Sequence, residues 1–253
     1  MTKVKRILIA IMVLATAGSV YAEDVDKNEW SFTPYFWLPS IDVTSKVPGL
    51  PPADIDLGFD DIIENFDVFA LSARGEYWWG RWGTVVDGIW LDMETDGLGP
   101  LGNGGAQISD GILDIMAACR VNLTDDAPQE AVSARLMAGL RYHYLKQEIT
   151  LPPQTFGGSE DWIEPIIAGQ LVAPLSAKWL ATVRADASGF GIGDGSDLTT
   201  SFMAAAGWRF ANNWIAKLGY RLYHIDYSTG SGANEFGLDG TMHGPWIGIS
   251  YGK

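Results

Sequence analysis

The chain has 253 residues, 47% of them hydrophobic and 19% charged, with 31 acidic side chains against 17 basic ones and a formal net charge of −14. That balance excludes a nucleic-acid binder, whose partner's phosphates demand a basic footprint. One cysteine, Cys119, excludes an intramolecular disulfide framework, and no His/Cys cluster points to zinc, so neither metal nor cofactor is expected.

Residues 1–22 read as a secretory signal peptide. Lys3, Lys5 and Arg6 precede an apolar run from Ile7 to Ala17, and Val20-Tyr21-Ala22 supplies a small-x-small cleavage pattern. Cleavage after Ala22 leaves residues 23–29 as a periplasmic tail and a mature chain with 14 basic side chains against the same 31 acidic ones. No later run approaches the ~20 apolar residues of a spanning helix. The periplasm, the exterior and an outer membrane remain as destinations.

From residue 30 to residue 253 the pattern has a period of two. Between Leu198 and Leu222, Phe202, Trp208, Phe210, Trp214, Leu218 and Tyr220 share one face, while Arg209, Lys217 and Arg221 share the other. Side chains alternate across a strand, so these runs are strands with one apolar and one polar face. Ten strands are expected, over 30–43, 67–80, 82–95, 107–122, 131–148, 161–173, 178–192, 197–210, 213–227 and 235–252. Short and long connections alternate between them, which predicts an all-β fold: a transmembrane antiparallel up-and-down β-barrel with lipid outside and a polar lumen. A split or missed hairpin would make the count eight or twelve.

Aromatic residues support the same reading. Trp30, Trp78, Trp79, Trp82, Trp179, Trp208, Trp214 and Trp246 fall near the expected periplasmic ends, and Tyr142, Tyr144, Trp162, Phe190 and Phe236 near the opposite rim. Rings with a polar edge prefer the headgroup level. The last strand breaks pattern: Leu238 and Met242 differ in parity from Ile247, Ile249 and Tyr251, which predicts a bulge at Gly244-Pro245.

Four stretches carry a resemblance: Trp30 to Pro39 (WSFTPYFWLP), Phe59 to Asp67 (FDDIIENFD), Gly189 to Gly193 (GFGIG) and Met242 to Pro245 (MHGP). Together the chain resembles a group of uncharacterised Gram-negative outer-membrane β-barrel proteins, porin-like small barrels. The resemblance implies location and fold and transfers no catalytic residue.

By parity the lumen receives Arg74, Arg120, Arg135, Arg141, Arg184, Arg209, Lys217 and Arg221, and opposite them Glu76, Asp87, Asp110, Asp114, Glu164, Asp186 and Asp239. A small barrel has room inside for side chains or one small ligand. Near-balanced charge in that space points to a salt-bridged filling, or to a narrow path lined by the arginines. At the external rim 17 acidic residues, from Asp42 to Glu235, face only Lys46 and Lys146. That rim is either a solvated face or a mouth attracting cations or a small solute. Phe59, Ile62, Ile63 and Phe66 have helical spacing, so Leu57–Phe66 is expected as a short amphipathic helix on the rim or over the mouth.

The role expected is therefore structural, or a narrow pore or binding module for a small solute, in a monomeric barrel. Its partners would be outer-membrane lipid, lipopolysaccharide and the barrel assembly machinery. The competing class is a lipid- or peptide-processing hydrolase with a His-based site near the external mouth, which needs a Ser or carboxylate partner within hydrogen-bond reach of His143, His224 or His243.

Overall fold

The computed structural model describes residues 28–60, 64, 67–98, 104–124 and 131–253. The expected signal peptide lies outside the described residues, as does most of the helix expected over Leu57–Phe66. Among the described residues twelve strands form: β1 (Asn28–Trp37), β2 (Ser40–Lys46), β3 (Ala53–Leu57), β4 (Asp67–Trp79), β5 (Trp82–Leu98), β6 (Gly104–Asn122), β7 (Ser133–Leu151), β8 (Gln154–Pro174), β9 (Trp179–Ser188), β10 (Leu198–Ala211), β11 (Trp214–Thr229) and β12 (Phe236–Gly252). A single 3-10 turn, Gly232–Asn234, precedes β12.

Every pairing is antiparallel, and the order β1-β4-β5-β6-β7-β8-β9-β10-β11-β12 closes through β12 on β1 into a ten-stranded barrel. Closure leaves these ten strands without a free sheet edge around the ring. β2 and β3 are additional. Trp37 faces Trp246 and Ser40 faces His243, so β2 continues β1 along β12 in the same register. The ladder is interrupted at Pro39, which has no N–H to donate. β3 then returns along β2, with Leu57 opposite Ile41. Both Asn28 and Lys253 lie at one rim, the near end, where Trp30 N donates to Lys253 O at 2.9 Å. The tight turns at Gly80-Arg81 and Asn212-Asn213 close hairpins at that same rim.

Several local expectations change. β12 pairs with β11 without a shift from Tyr251 opposite Trp214 to Phe236 opposite Thr229, so there is no bulge at Gly244-Pro245. With the register unbroken, Phe236, Leu238, Met242 and Trp246 all turn inward and are buried, and Asp239 is exposed on the outward parity of Ile247. The break in the apolar pattern marks a change in what fills the lumen. Pro152-Pro153 makes a two-residue turn, and β8 resumes at Gln154. β9 stops at Ser188, leaving Gly189–Asp197 as a loop. Gly189 has a φ of 89°, and a Cβ there would lie 2.4 Å from Ser196 O, so the loop closes only around glycine.

The outward faces are apolar all the way round. Leu71, Leu136, Leu218 and Ile247 are each at least 60% exposed, and Phe32, Ile167, Leu171, Phe202 and Ile249 share that surface. Trp30, Trp79, Trp82, Trp179, Trp208 and Trp214 are exposed at the near end. Trp78, Trp162 and Trp246 are buried instead, since each shares parity with inward residues such as Glu76, Glu164 and Gly248. Of the expected second ring, Tyr142 and Phe190 are exposed and Phe236 is buried.

Gly219 lies opposite Trp246, and a Cβ there would come 2.4 Å from the indole Nε1. Replacing Gly219 with valine should therefore destabilise the barrel by about 1–3 kcal/mol. The temperature at which folded protein loses its faster gel mobility in detergent reads this directly, and an unchanged temperature would place Trp246 elsewhere.

Candidate functional site

The functional candidate is the interior, where the period-two pattern puts nearly all the expected charges. Arg74, Asp87, Asp110, Asp114, Arg141, Glu164, Arg184, Asp186 and Arg221 are buried. Glu76, Arg120, Arg135, Arg209 and Lys217 are partly buried, and Asp239 alone of the fifteen is exposed at the rim.

Four guanidinium groups and four carboxylates form one connected cluster at the waist. Arg141, fully buried, donates Nε to Asp114 Oδ1 at 2.7 Å and Nη2 to Asp114 Oδ2 at 2.9 Å. Its Nη2 also reaches Asp186 Oδ1 at 2.8 Å, and Nη1 reaches Ser188 Oγ at 3.1 Å. Arg184 donates to Asp87 at 2.9 Å and Asp114 at 3.2 Å. Arg74 donates to Glu76 at 2.8 Å, Asp87 at 3.1 Å and Gln170 at 3.0 Å, while Arg135 takes the other oxygen of Glu76 at 2.8 Å. Tyr35 OH donates to Asp87 at 2.9 Å. Forked Arg–carboxylate bonds are the strong kind, and they offset the desolvation of eight charges in a narrow space.

Arg221 stands apart. It has no carboxylate partner among the described residues; its Nε meets Ser201 Oγ at 3.3 Å, and its guanidinium lies 5.2 Å from the Trp37 ring and 5.5 Å from the Tyr223 ring. Aromatic faces attract such a cation. Lys217 lines a cavity of about 50 Å³ with Thr33, Tyr35, Arg74, Glu76 and Asp87, room for a few waters. Asp110 is buried with no hydrogen-bond partner among the described residues.

Glu164 organises the wall toward the far end. It accepts from His143 Nε2 at 3.1 Å, Ser188 Oγ at 2.5 Å, Trp162 Nε1 at 2.9 Å, and Ser196 N and Oγ at 3.0 and 2.6 Å. This ties the Gly189–Asp197 loop to the barrel interior. His143 stacks on Trp162, which stacks on Tyr227 at 3.6 Å. Both Ser188 and His143 point their bonds at the same carboxylate rather than at each other. His224 meets Thr241 at 3.3 Å and His243 meets Tyr220 OH at 2.7 Å, both on outward parity. No histidine bonds a serine among the described residues; the one His–carboxylate pair is His143 with Glu164, both buried.

Beyond the charges the lumen turns apolar. Trp37, Ile41, Val43, Ile89, Leu91, Met93, Leu145, Trp162, Tyr223, Ile225, Phe236, Leu238 and Met242 belong to one buried cluster. Above it the β7–β8 hairpin reaches to the opposite wall: Gln147 bonds Ser45 Oγ through Oε1 and donates Nε2 to Gly237 O at 3.0 Å. Phe156 packs on Gly49 in the β2–β3 turn. Parity alone could have flagged Tyr35, Trp37 and Tyr223 as interior; nothing in the sequence pairs Gln147 with Ser45. At the far rim Lys46 meets Glu235 and Lys146 meets Glu148, each at 2.8 Å, and these hydrogen bonds raise both ammonium pKa values above the ordinary lysine range. No three carboxylates converge as a metal site among the described residues.

A second cavity, about 120 Å³, opens at the near end among Arg120, Arg135, Lys178, Arg209, Ser133 and Ser176. Arg120 is held by Glu29 at 2.8 Å, and Arg209 donates to Ala177 O at 2.9 Å.

No protein-family model matches the chain, and no curated protein does. Among solved structures it is similar to the translocator domain of the autotransporter NalP from Neisseria meningitidis, at 14% identity and a TM-score of 0.37, covering 98% of this chain and 95% of that one. It is also similar to the Pseudomonas putida toluene transporter TodX, at 8% identity and 0.26 over 92% and 90%. A Pseudomonas aeruginosa FadL homologue gives 9% and 0.28 over 90% of each chain. Similarities of that depth fix neither substrate nor activity.

Replacing Arg141 with methionine removes the forked partner of Asp114 and leaves both Asp114 and Asp186 to Arg184 alone, which should cost about 3–5 kcal/mol of stability. Adding Asp114→Asn should restore part of it. Urea unfolding in detergent micelles checks both, and a neutral Arg141→Met would remove the cluster from the stabilising core.

Proposed function

We propose that this chain is an exported outer-membrane barrel whose lumen is shut in its resting form. One observation carries the membrane reading: the closed barrel is apolar on its outer face all round, while its charged groups pair inside. A water-soluble barrel would have the reverse, because an apolar surface of that extent in water drives association. In a bilayer each strand satisfies its backbone through neighbours and presents its greasy face to lipid. The near end, with both termini and the short turns, then faces the periplasm, and the acidic far end faces outward. Export through residues 1–22 with cleavage after Ala22, passage through the barrel assembly machinery, and a bed of lipid and lipopolysaccharide follow from that placement.

The closed lumen favours a structural or binding role over steady conduction. The waist cluster, the apolar packing above it and the Gln147 crosspiece lie in series, and the waist cavity holds only a few waters. A narrow path for a small solute would exist only when the β7–β8 hairpin lifts, the apolar packing parts and the waist ion pairs rearrange.

Purified mature chain should need detergent to stay dispersed; a folded monomer in plain buffer would sink the membrane reading. In planar bilayers the wild-type protein should be electrically quiet. Gln147→Ala combined with Phe156→Ala should open only the outer chamber and stay quiet, and intermittent current steps should appear when Arg184→Ala is added at the waist; steady stepwise currents from the wild type would refute the shut lumen. Within that opened variant, Arg221→Ala should lower anion preference, since Arg221 is a lumen cation with no carboxylate partner among the described residues.

A further inference from the structure

The cavity at the near end shares only Arg135 with the waist cluster. Four cationic side chains line it: Arg120, Arg135, Lys178 and Arg209. No carboxylate lines it among the described residues. Arg120 is matched by Glu29 and Arg135 by Glu76, yet the Arg135 Nε is buried without an acceptor. Arg209 uses only Nη1, on the Ala177 carbonyl, and Lys178 has no ionic partner among the described residues. Two positive charges and several N–H donors therefore stand over a hollow of about 120 Å³, beside the hydroxyls of Ser133 and Ser176.

We propose that this cup binds a phosphate-class oxyanion approaching from the near side. Guanidinium groups present forked N–H pairs that match two oxygens of one tetrahedral anion, and the hydroxyls add neutral donors without adding negative charge. The hollow suits one such group and is well below the ~300 Å³ at which drug-sized ligands are housed. Positive charge at an entrance also concentrates anions there. The anion can be free in solution or be the headgroup of a lipid, because Trp179, half exposed on the outer face, forms part of the same lining. The competing occupant is internal: the segment between Thr124 and Ala131 carries Asp125, Asp126 and Glu130 in sequence.

The test uses the full mature chain, folded in a non-ionic maltoside detergent and checked by its heat-modifiable gel band. Inorganic phosphate is titrated by calorimetry at constant ionic strength held with chloride. Saturable binding of one phosphate per chain is expected. Arg209→Ala with Lys178→Ala should weaken it roughly tenfold or more, as loss of bonds to charged groups does. Lys46→Ala, at the far rim, should leave it unchanged. Repeating the titration in nanodiscs of phosphatidylglycerol separates the sources: binding lost there assigns the cup to a lipid headgroup, and binding retained assigns it to a soluble anion. Absence of saturable binding in maltoside, or equal affinity in the double variant, would overturn the proposal. So would binding that emerges only after Asp125→Asn, Asp126→Asn and Glu130→Gln, since the cup would then be neutralised from within.

Discussion

The forked bond from Arg141 to Asp114, with Asp186 on its flank, is the constraint that the rest of the interior answers to. The apolar outer belt leaves no place for a charge, so at its height the strands' polar faces must turn inward. A ten-stranded tube is too narrow to hydrate them all. The waist carboxylates Asp87, Asp114 and Asp186 therefore each take a guanidinium from another strand. Asp87 serves Arg74 from the neighbouring strand and Arg184 from across the lumen, and Asp114 is shared between Arg141 and Arg184. Sharing of this kind couples the walls, so that moving one strand disturbs several pairs at once.

The far half of the tube solves the same problem differently. There the inward residues are Trp37, Leu91, Met93, Leu145, Leu238 and Met242, and packing replaces pairing. The arrangement makes sense beside the outward residues at that height, Asp42, Glu94, Asp161 and Asp239, which are exposed. Past the apolar outer belt the strands stand in water, and the usual preference returns: greasy side chains in, charged ones out. The barrel thus inverts its inside and outside between waist and rim. Glu164 sits at the junction, where its five hydrogen bonds join the waist serine Ser188 to the loop serine Ser196.

That inversion explains which parts of the fold were legible in the sequence. The alternation in β10 and β11 is clear because one rule holds along most of their length, and the even strand count returns both ends of the barrel to one rim. β12 misleads because the rule changes halfway: Leu238 and Met242 on the inner face look out of register with Ile247 and Ile249 on the outer face, although the ladder never slips. The same parity reads Asp239 as a lumen residue, although it is exposed on the outward face. Trp162 and Phe236 read as a rim girdle for a related reason, since an aromatic at the end of a strand can face either lipid or the capped interior. Parity places Arg141 on an inner face. It cannot name Asp114 and Asp186, which lie 27 and 45 residues away and meet it only through strand register.

The series arrangement also decides where such a tube can open. Passage through the waist requires breaking shared ion pairs, and each broken pair leaves buried charges that cost several kcal/mol. Parting the apolar cluster exposes side chains at a cost proportional to area. Lifting the β7–β8 hairpin breaks the bond Gln147 accepts from Ser45, the bond it donates to Gly237 O and one aromatic contact on Gly49, and water at the rim replaces those bonds. The cheapest motion is therefore at the far rim, and it leaves the waist intact. A solute admitted there would meet the apolar cluster first and the paired charges last. The hairpin alone can then regulate access to a shallow outer chamber, while through-conduction demands a second and far costlier rearrangement at Arg141 and its neighbours.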